Sequence, residues 1–160
     1  MNTGWYCGNE ELQEPLHYDW CGLDDVYLLS GFTRTGDGGG NTKVAIRNLD
    51  GLHRAIGEHL ARHKKALNGK EIRFLRKHMD ISQDELADVL SVSGQTVARW
   101  EKQECEIPGP AELLLRVIYL SEILEQVNPR ELAAKLREAD SLPKERQEFT
   151  ATGDEWKAAA

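Results

Sequence analysis

Residues 82–102 read SQDELADVLSVSGQTVARWEK. Ser82 with Glu85 three positions on is a capping box. The serine hydroxyl takes a backbone donor of the first turn and the glutamate reaches back to the serine amide. Leu86, Val89 and Leu90 then form the apolar face of a short helix, and Ala87 is small where another helix must cross closely. After Ser91 and Val92, Ser93 can cap a second helix over 94–102 with Val97 and Trp100 turned inward. Two short capped helices separated by about three residues form a helix-turn-helix arrangement.

The second helix keeps Gln95, Thr96, Arg99 and Lys102 outward, with Ser93 and Gly94 at its start. These side chains suit the base edges of duplex DNA. Glutamine can bond adenine twice, arginine can bond guanine twice, and threonine offers a methyl or a hydroxyl. Gln83 and the backbone donors around it are placed to grip phosphate. Upstream, residues 70–79 have helical spacing, with Ile72, Leu75 and Met79 inward. Arg73, Arg76 and Lys77 are expected outward, as further phosphate contacts.

Downstream, residues 111–127 predict a longer helix in which seven of the eight positions 113–120 are apolar, Arg116 being the exception. A helix packed on one small domain needs an apolar stripe, not a cylinder. The surplus is best covered by the same helix of a second copy, through Leu114, Val117, Ile118, Leu120 and Leu124. Asn128 and Pro129 open an amphipathic helix to about residue 139, and the polar composition from residue 141 predicts a frayed tail.

With flanking helices, residues 70–127 resemble the Xre/Cro-type helix-turn-helix regulators. Their pattern is Ser-Gln-x-x-Leu-Ala-x-x-Leu-Gly-Val-Ser-x-x-Thr-Val-x-x-Trp-Glu, and this chain departs from it with Ser91 at the turn glycine. A side chain at that left-handed position costs about 1 kcal/mol. The resemblance implies an operator-binding regulator, with Arg99, Gln95 and Thr96 at the reading positions.

Residues 16–33 are rich in aromatic and aliphatic side chains around residues 22–25, which predicts two short strands about a turn. Residues 35–41, TGDGGGN, form a loop before a strand at 43–47. The glycines lack the Gly-Lys-Ser/Thr ending of a phosphate-binding loop, so a hairpin loop is expected. Asp50 is the expected N-cap of a helix to about residue 65. Its His59 and His63 are four apart but lack the following glutamate of a zincin, so they are read as ordinary helix residues. A Cys-bearing β domain ahead of a helix-turn-helix also resembles MqsA/YgiT-type antitoxins, in which two Cys-x-x-Cys pairs hold zinc. Here residues 7–10 and 21–24 each carry one thiol, Cys7 or Cys21, and one carboxylate, Glu10 or Asp24. That is a weaker donor set than four thiolates. A metal-free domain held by Trp5, Tyr18, Trp20 and Tyr27, with no cofactor, is the expectation.

The fold class is therefore α+β. A small β-rich domain with one helix, residues 1–66, precedes an all-α five-helix domain, residues 67–140, and then the tail, 141–160. The 160 residues carry 20 basic and 27 acidic side chains, a net charge of −7. This excludes coating of nucleic acid by bulk charge. The charge is uneven: residues 53–80 hold 8 basic and 3 acidic side chains, against 3 and 8 in residues 1–52. No run approaches a membrane span or a secretory signal, and three cysteines do not make a disulfide scaffold, so a cytoplasmic protein is expected. No nucleophile–base or paired-carboxylate arrangement points to an enzyme. The expected partners are a duplex DNA operator and a second copy of the chain, with no membrane. The expected activity is that of a dimeric repressor. The alternative is an antitoxin that neutralises a toxin through the N-terminal domain.

Overall fold

In the computed structural model, residues 14–123, 128–138 and 146–159 are described. They divide into two units: one ends at Ile56 and resumes from Arg146 on, and the other lies between. The mixed α+β architecture is the one the sequence predicts, with a β-rich region followed by helices.

In the first unit, β1 (Leu16–His17), β2 (Val26–Leu28), β5 (Gln147–Thr152) and β6 (Glu155–Ala158) form one sheet in the order β1-β2-β5-β6. β2 pairs with β5 in parallel and the other neighbours are antiparallel. A separate hairpin joins β3 (Phe32–Gly36) to β4 (Thr42–Ile46). The fraying expected of the C-terminal stretch does not extend to its last strands. Gln147, Phe149 and Ala151 are buried on one side of β5, a period-two pattern that the polar composition hides. The pairing itself joins segments about 120 residues apart. There Gln147 donates its amide to both oxygens of Asp25 at 3.0 Å, and Ser30 hydrogen-bonds Thr150 at 2.7 Å.

Gly31 is fixed by two constraints. Its φ is +80°, and a Cβ there would lie 2.5 Å from the Ala151 side chain and 2.6 Å from Trp156. Tyr18 is buried and its hydroxyl hydrogen-bonds His53 Nε2 at 2.7 Å. Burial, followed by the nearby Cys21 thiol, pushes its pKa up to about 12. Trp20, expected to help hold this domain, is instead 66% exposed. It sits in the turn between β1 and β2, edge-on to Tyr18. Trp5 lies outside the described residues.

Helix α1 (Leu49–His63) gives Leu52 and Ile56 to the first unit, and Gly57, Leu60 and Ala61 to the second. Its first turn is capped by Asn48, whose side chain accepts from Gly51 N at 3.1 Å, rather than by Asp50. The second unit continues with α2 (Gly69–His78), α3 (Gln83–Leu90), α4 (Gly94–Glu101), α5 (Gly109–Ile123) and α6 (Pro129–Glu138). α3 and α4 pack on each other, and α4 also packs on α2. The core of this unit is formed by Leu60, Ile72, Leu75, Leu86, Val97, Trp100, Leu115, Tyr119 and Leu120.

Two arginines lie in that interior. Arg116 is fully buried. One amine donates to the carbonyls of Leu60 (3.1 Å) and Ala61 (3.2 Å), and the other donates to that of Lys65 (3.2 Å) and pairs with Glu112. The side chain thus satisfies the orphan carbonyls at the C-terminal end of α1 and places a positive charge there. Tyr119 follows on the same face, and its hydroxyl hydrogen-bonds His78 Nδ1 at 2.8 Å. A Cβ at Gly57 would come within 1.7 Å of that hydroxyl, so α1 can approach α5 only through a glycine.

Candidate nucleic-acid interface

The two helices of residues 82–102 form as their caps require. Ser82 accepts from Glu85 N at 3.1 Å, and Glu85 accepts from Ser82 N at 2.6 Å. That donation by the Ser82 amide holds the Glu85 carboxyl below the usual carboxylate range. α3 ends at Ser91, which has φ 57° and ψ 41°, the left-handed conformation expected where the family pattern has glycine. Val92 N closes the turn on Ala87 O at 3.0 Å, and Ala87 is buried beneath it. Replacing Ser91 with Gly is expected to stabilise the domain by about 1 kcal/mol, read as a higher urea midpoint at unchanged m-value.

Ser93 caps α4 by accepting from Thr96 N at 3.2 Å, and its hydroxyl also hydrogen-bonds that of Thr96 at 2.9 Å. Gly94 lies against the Asp84 carboxylate: a Cβ there would come 1.9 Å from Oδ1 and turn that side chain away. Val97 and Trp100 are buried, as expected. At 100° per residue this leaves Gln95, Arg99 and Lys102 on one face, and all three are exposed. Among the described residues, none of these side chains makes a hydrogen bond or an ion pair. On α2, Arg73 and Lys77 are four apart on one exposed face and are equally unengaged among the described residues.

Three expectations change. Arg76 is not an outward phosphate contact. It is 8% exposed, with its guanidinium on Glu101 (Nε to Oε1 2.5 Å, the second amine to Oε2 3.2 Å) and on the Ile81 carbonyl at 2.9 Å. It occupies the i+4 position from Ile72 on the inward stripe, and Glu101 at the end of α4 neutralises it there. Gln83 is partly committed as well, donating its amide to Glu101 Oε2 at 2.8 Å. One N–H of its two is left for a phosphate. Val89, assigned to the apolar face of α3, is 51% exposed, since that face is covered by Leu86, Ala87 and Leu90.

On α5, Leu114 is 41% exposed, and Val117 and Ile118 are half-buried on the same side. Leu120 points the other way and is fully buried, so it belongs to the core and not to an interface. Leu124 lies outside the described residues. Leu113, half-buried, is the member of the outward stripe that the sequence reading left out, although its spacing to Val117 marks it.

The zinc site implied by the antitoxin resemblance finds no support at its second half. Burial, with the Asp19 and Asp25 carboxylates nearby, pushes the Cys21 thiol up. Among the described residues no three His, Cys, Asp or Glu side chains are grouped as a metal site, while Cys7 and Glu10 lie outside those residues. No helix among the described residues is long and apolar enough to cross a membrane.

No curated protein and no solved structure matches the chain. Residues 72–108, spanning most of α2, all of α3 and α4 and the loop beyond, match a helix-turn-helix family model. That family is of the Xre/Cro type, typically of non-enzymatic DNA-binding regulators. This segment is therefore a helix-turn-helix domain of the kind that DNA-binding transcription regulators carry.

Proposed function

We propose that the protein is a sequence-specific, dimeric transcriptional repressor that reads the major groove of its operator with α4. The observation that carries this reading is the face of α4 on which Gln95, Arg99 and Lys102 stand exposed and unengaged, beside a helix-turn-helix match. Arg99 and Gln95 have the donor geometry to select guanine and adenine, and Thr96 and the Ser93–Gly94 start of the helix approach the neighbouring base or phosphate. Lys102, Arg73, Lys77 and the remaining amide N–H of Gln83 supply backbone contacts that set the register.

An eight-residue reading helix covers only a few base pairs, so useful selectivity calls for two copies. The stripe of Leu113, Leu114, Val117 and Ile118 supports a homodimer through α5. Ser121, next on that stripe, donates its hydroxyl to Val117 O at 2.7 Å, so it brings no unpaired donor into an interface. Selection of bound duplexes from a random pool is expected to return two inverted half-sites about one helical turn apart. Bound sequences without two-fold symmetry, or a monomeric mass in solution, would overturn the dimeric reading.

The antitoxin alternative makes protein binding primary. Exposed Trp20, edge-on to Tyr18 at 5.7 Å, favours a partner surface on the first unit. A small basic protein encoded beside this chain and bound stably by that unit would move this reading ahead.

A further inference from the structure

The β3–β4 hairpin has a charge pattern that the helix-turn-helix does not explain. Residues 1–52 contain three cations, Arg34, Lys43 and Arg47, and all three lie on β3, on β4 or on the residue that follows it. Of the eight acids in the same segment, only Asp37 is on the hairpin.

The base of the hairpin is anchored. Phe32 is buried, Arg47 donates to Gly153 O at 2.9 Å, and Trp156 Nε1 donates to Arg47 O at 2.8 Å. Beyond that base, every residue from 33 to 43 is exposed. A two-stranded ribbon with both faces in water gains little by itself, so an arm of this kind is best explained by something it lies against.

The register pairs Thr33 with Ala45 and Thr35 with Lys43, which puts these four side chains on one face. That face has two hydroxyls, an ammonium and a methyl, with no aromatic or large aliphatic anchor for a protein partner. Hydroxyls and cations on a β-ribbon do suit phosphate oxygens, and a two-stranded ribbon has the width of a DNA groove. Lys43 makes no hydrogen bond or ion pair among the described residues. Arg34, on the opposite face, lies over the Phe32 ring at 4.8 Å and donates one amine to Glu14 O at 2.9 Å, leaving further N–H groups open. Asp37 opposes the assignment only at the tip, where its carboxylate accepts from Gly39 N (2.9 Å) and Asn41 N (3.2 Å) within the turn.

We propose that the β3–β4 hairpin is a second DNA contact, a basic arm that grips the phosphate backbone of the duplex through the face of Lys43, Thr33 and Thr35. The proposal rests on the DNA-binding reading of α4 and extends it to the first unit. It assigns that unit a share of the affinity without a share of the base recognition.

The test uses the full chain and the duplex returned by the selection above, with long flanks, titrated across a series of salt concentrations. Lys43→Ala is expected to lower the slope of log K against log salt by about 1 and to weaken operator and random duplex alike, with base preference unchanged. Lys43→Arg should keep the slope. Both variants are at an exposed position and should leave thermal unfolding unchanged. An unchanged slope in Lys43→Ala together with unchanged affinity in a Thr33→Ala/Thr35→Ala pair, beside weakened binding by Arg99→Ala, would overturn the arm and leave the α4 reading intact. A wild-type chain that binds no duplex at all would overturn both.

Discussion

Arg99→Ala is expected to weaken binding to the selected operator by about 1–3 kcal/mol, roughly a 5- to 150-fold rise in Kd, and to relax selectivity at one base pair of each half-site. The size follows from the contact. A guanidinium that meets guanine O6 and N7 with two parallel bonds loses both on truncation, and the base edge is left desolvated without partners. Arg99 is suited to this because it lies outward on α4 and has no competing acceptor among the described residues. Arg99→Lys separates charge from shape: the ammonium keeps the attraction to DNA but not the paired donors, so selectivity should fall while the salt slope stays. Lys102→Ala should do the reverse, reducing the slope by about 1 with base preference intact. Titration against operators changed one base pair at a time reads all three. An Arg99→Ala protein that keeps the wild-type base preference would remove α4 from the reading role.

Arg116→Ala is expected to have the largest effect on stability, at least about 3 kcal/mol. It removes the donor that satisfies the carbonyls of Leu60, Ala61 and Lys65 and leaves Glu112 without its buried cation. Unmade hydrogen bonds at a buried helix end cost about 1–3 kcal/mol each, less whatever water can reach them. For a unit of this size that corresponds to a fall in Tm of more than about 10 °C. Arg116→Met fills the volume without the donors and should recover only part of the loss. Chemical and thermal unfolding measure it. A change in unfolding free energy below about 1 kcal/mol in Arg116→Ala would mean that the α1 terminus finds other partners.

The helix-turn-helix was legible because its signals are local. Ser82 with Glu85, the turn at Ser91 and the cap at Ser93 each act within three or four residues, and the structure forms every one of them. The exposed face of α4 was legible for the same reason, since Val97 and Trp100 fix which side faces in and Gln95, Arg99 and Lys102 follow by the helical period. Arg76 is misjudged on charge. It sits at core spacing with Ile72 and Leu75, so the period alone places it inward. Charged residues are seldom fully buried without a partner, and that prior pointed outward.

By itself, then, the sequence determined the α+β class, the two capped helices and the side chains exposed on α4, because caps, turns and helical period are short-range physics. The tertiary structure alone decided where each buried charge goes. The backbone acceptors of Arg116 lie 51–56 positions away around the end of α1, and the carboxylate that neutralises Arg76 lies 25 positions away on α4. It also decided the fate of the C-terminal residues, since β5, besides its hairpin with β6, pairs with β2 across the whole chain. A polar alternating segment gains the second half of its ladder from that distant partner, which its own composition does not announce.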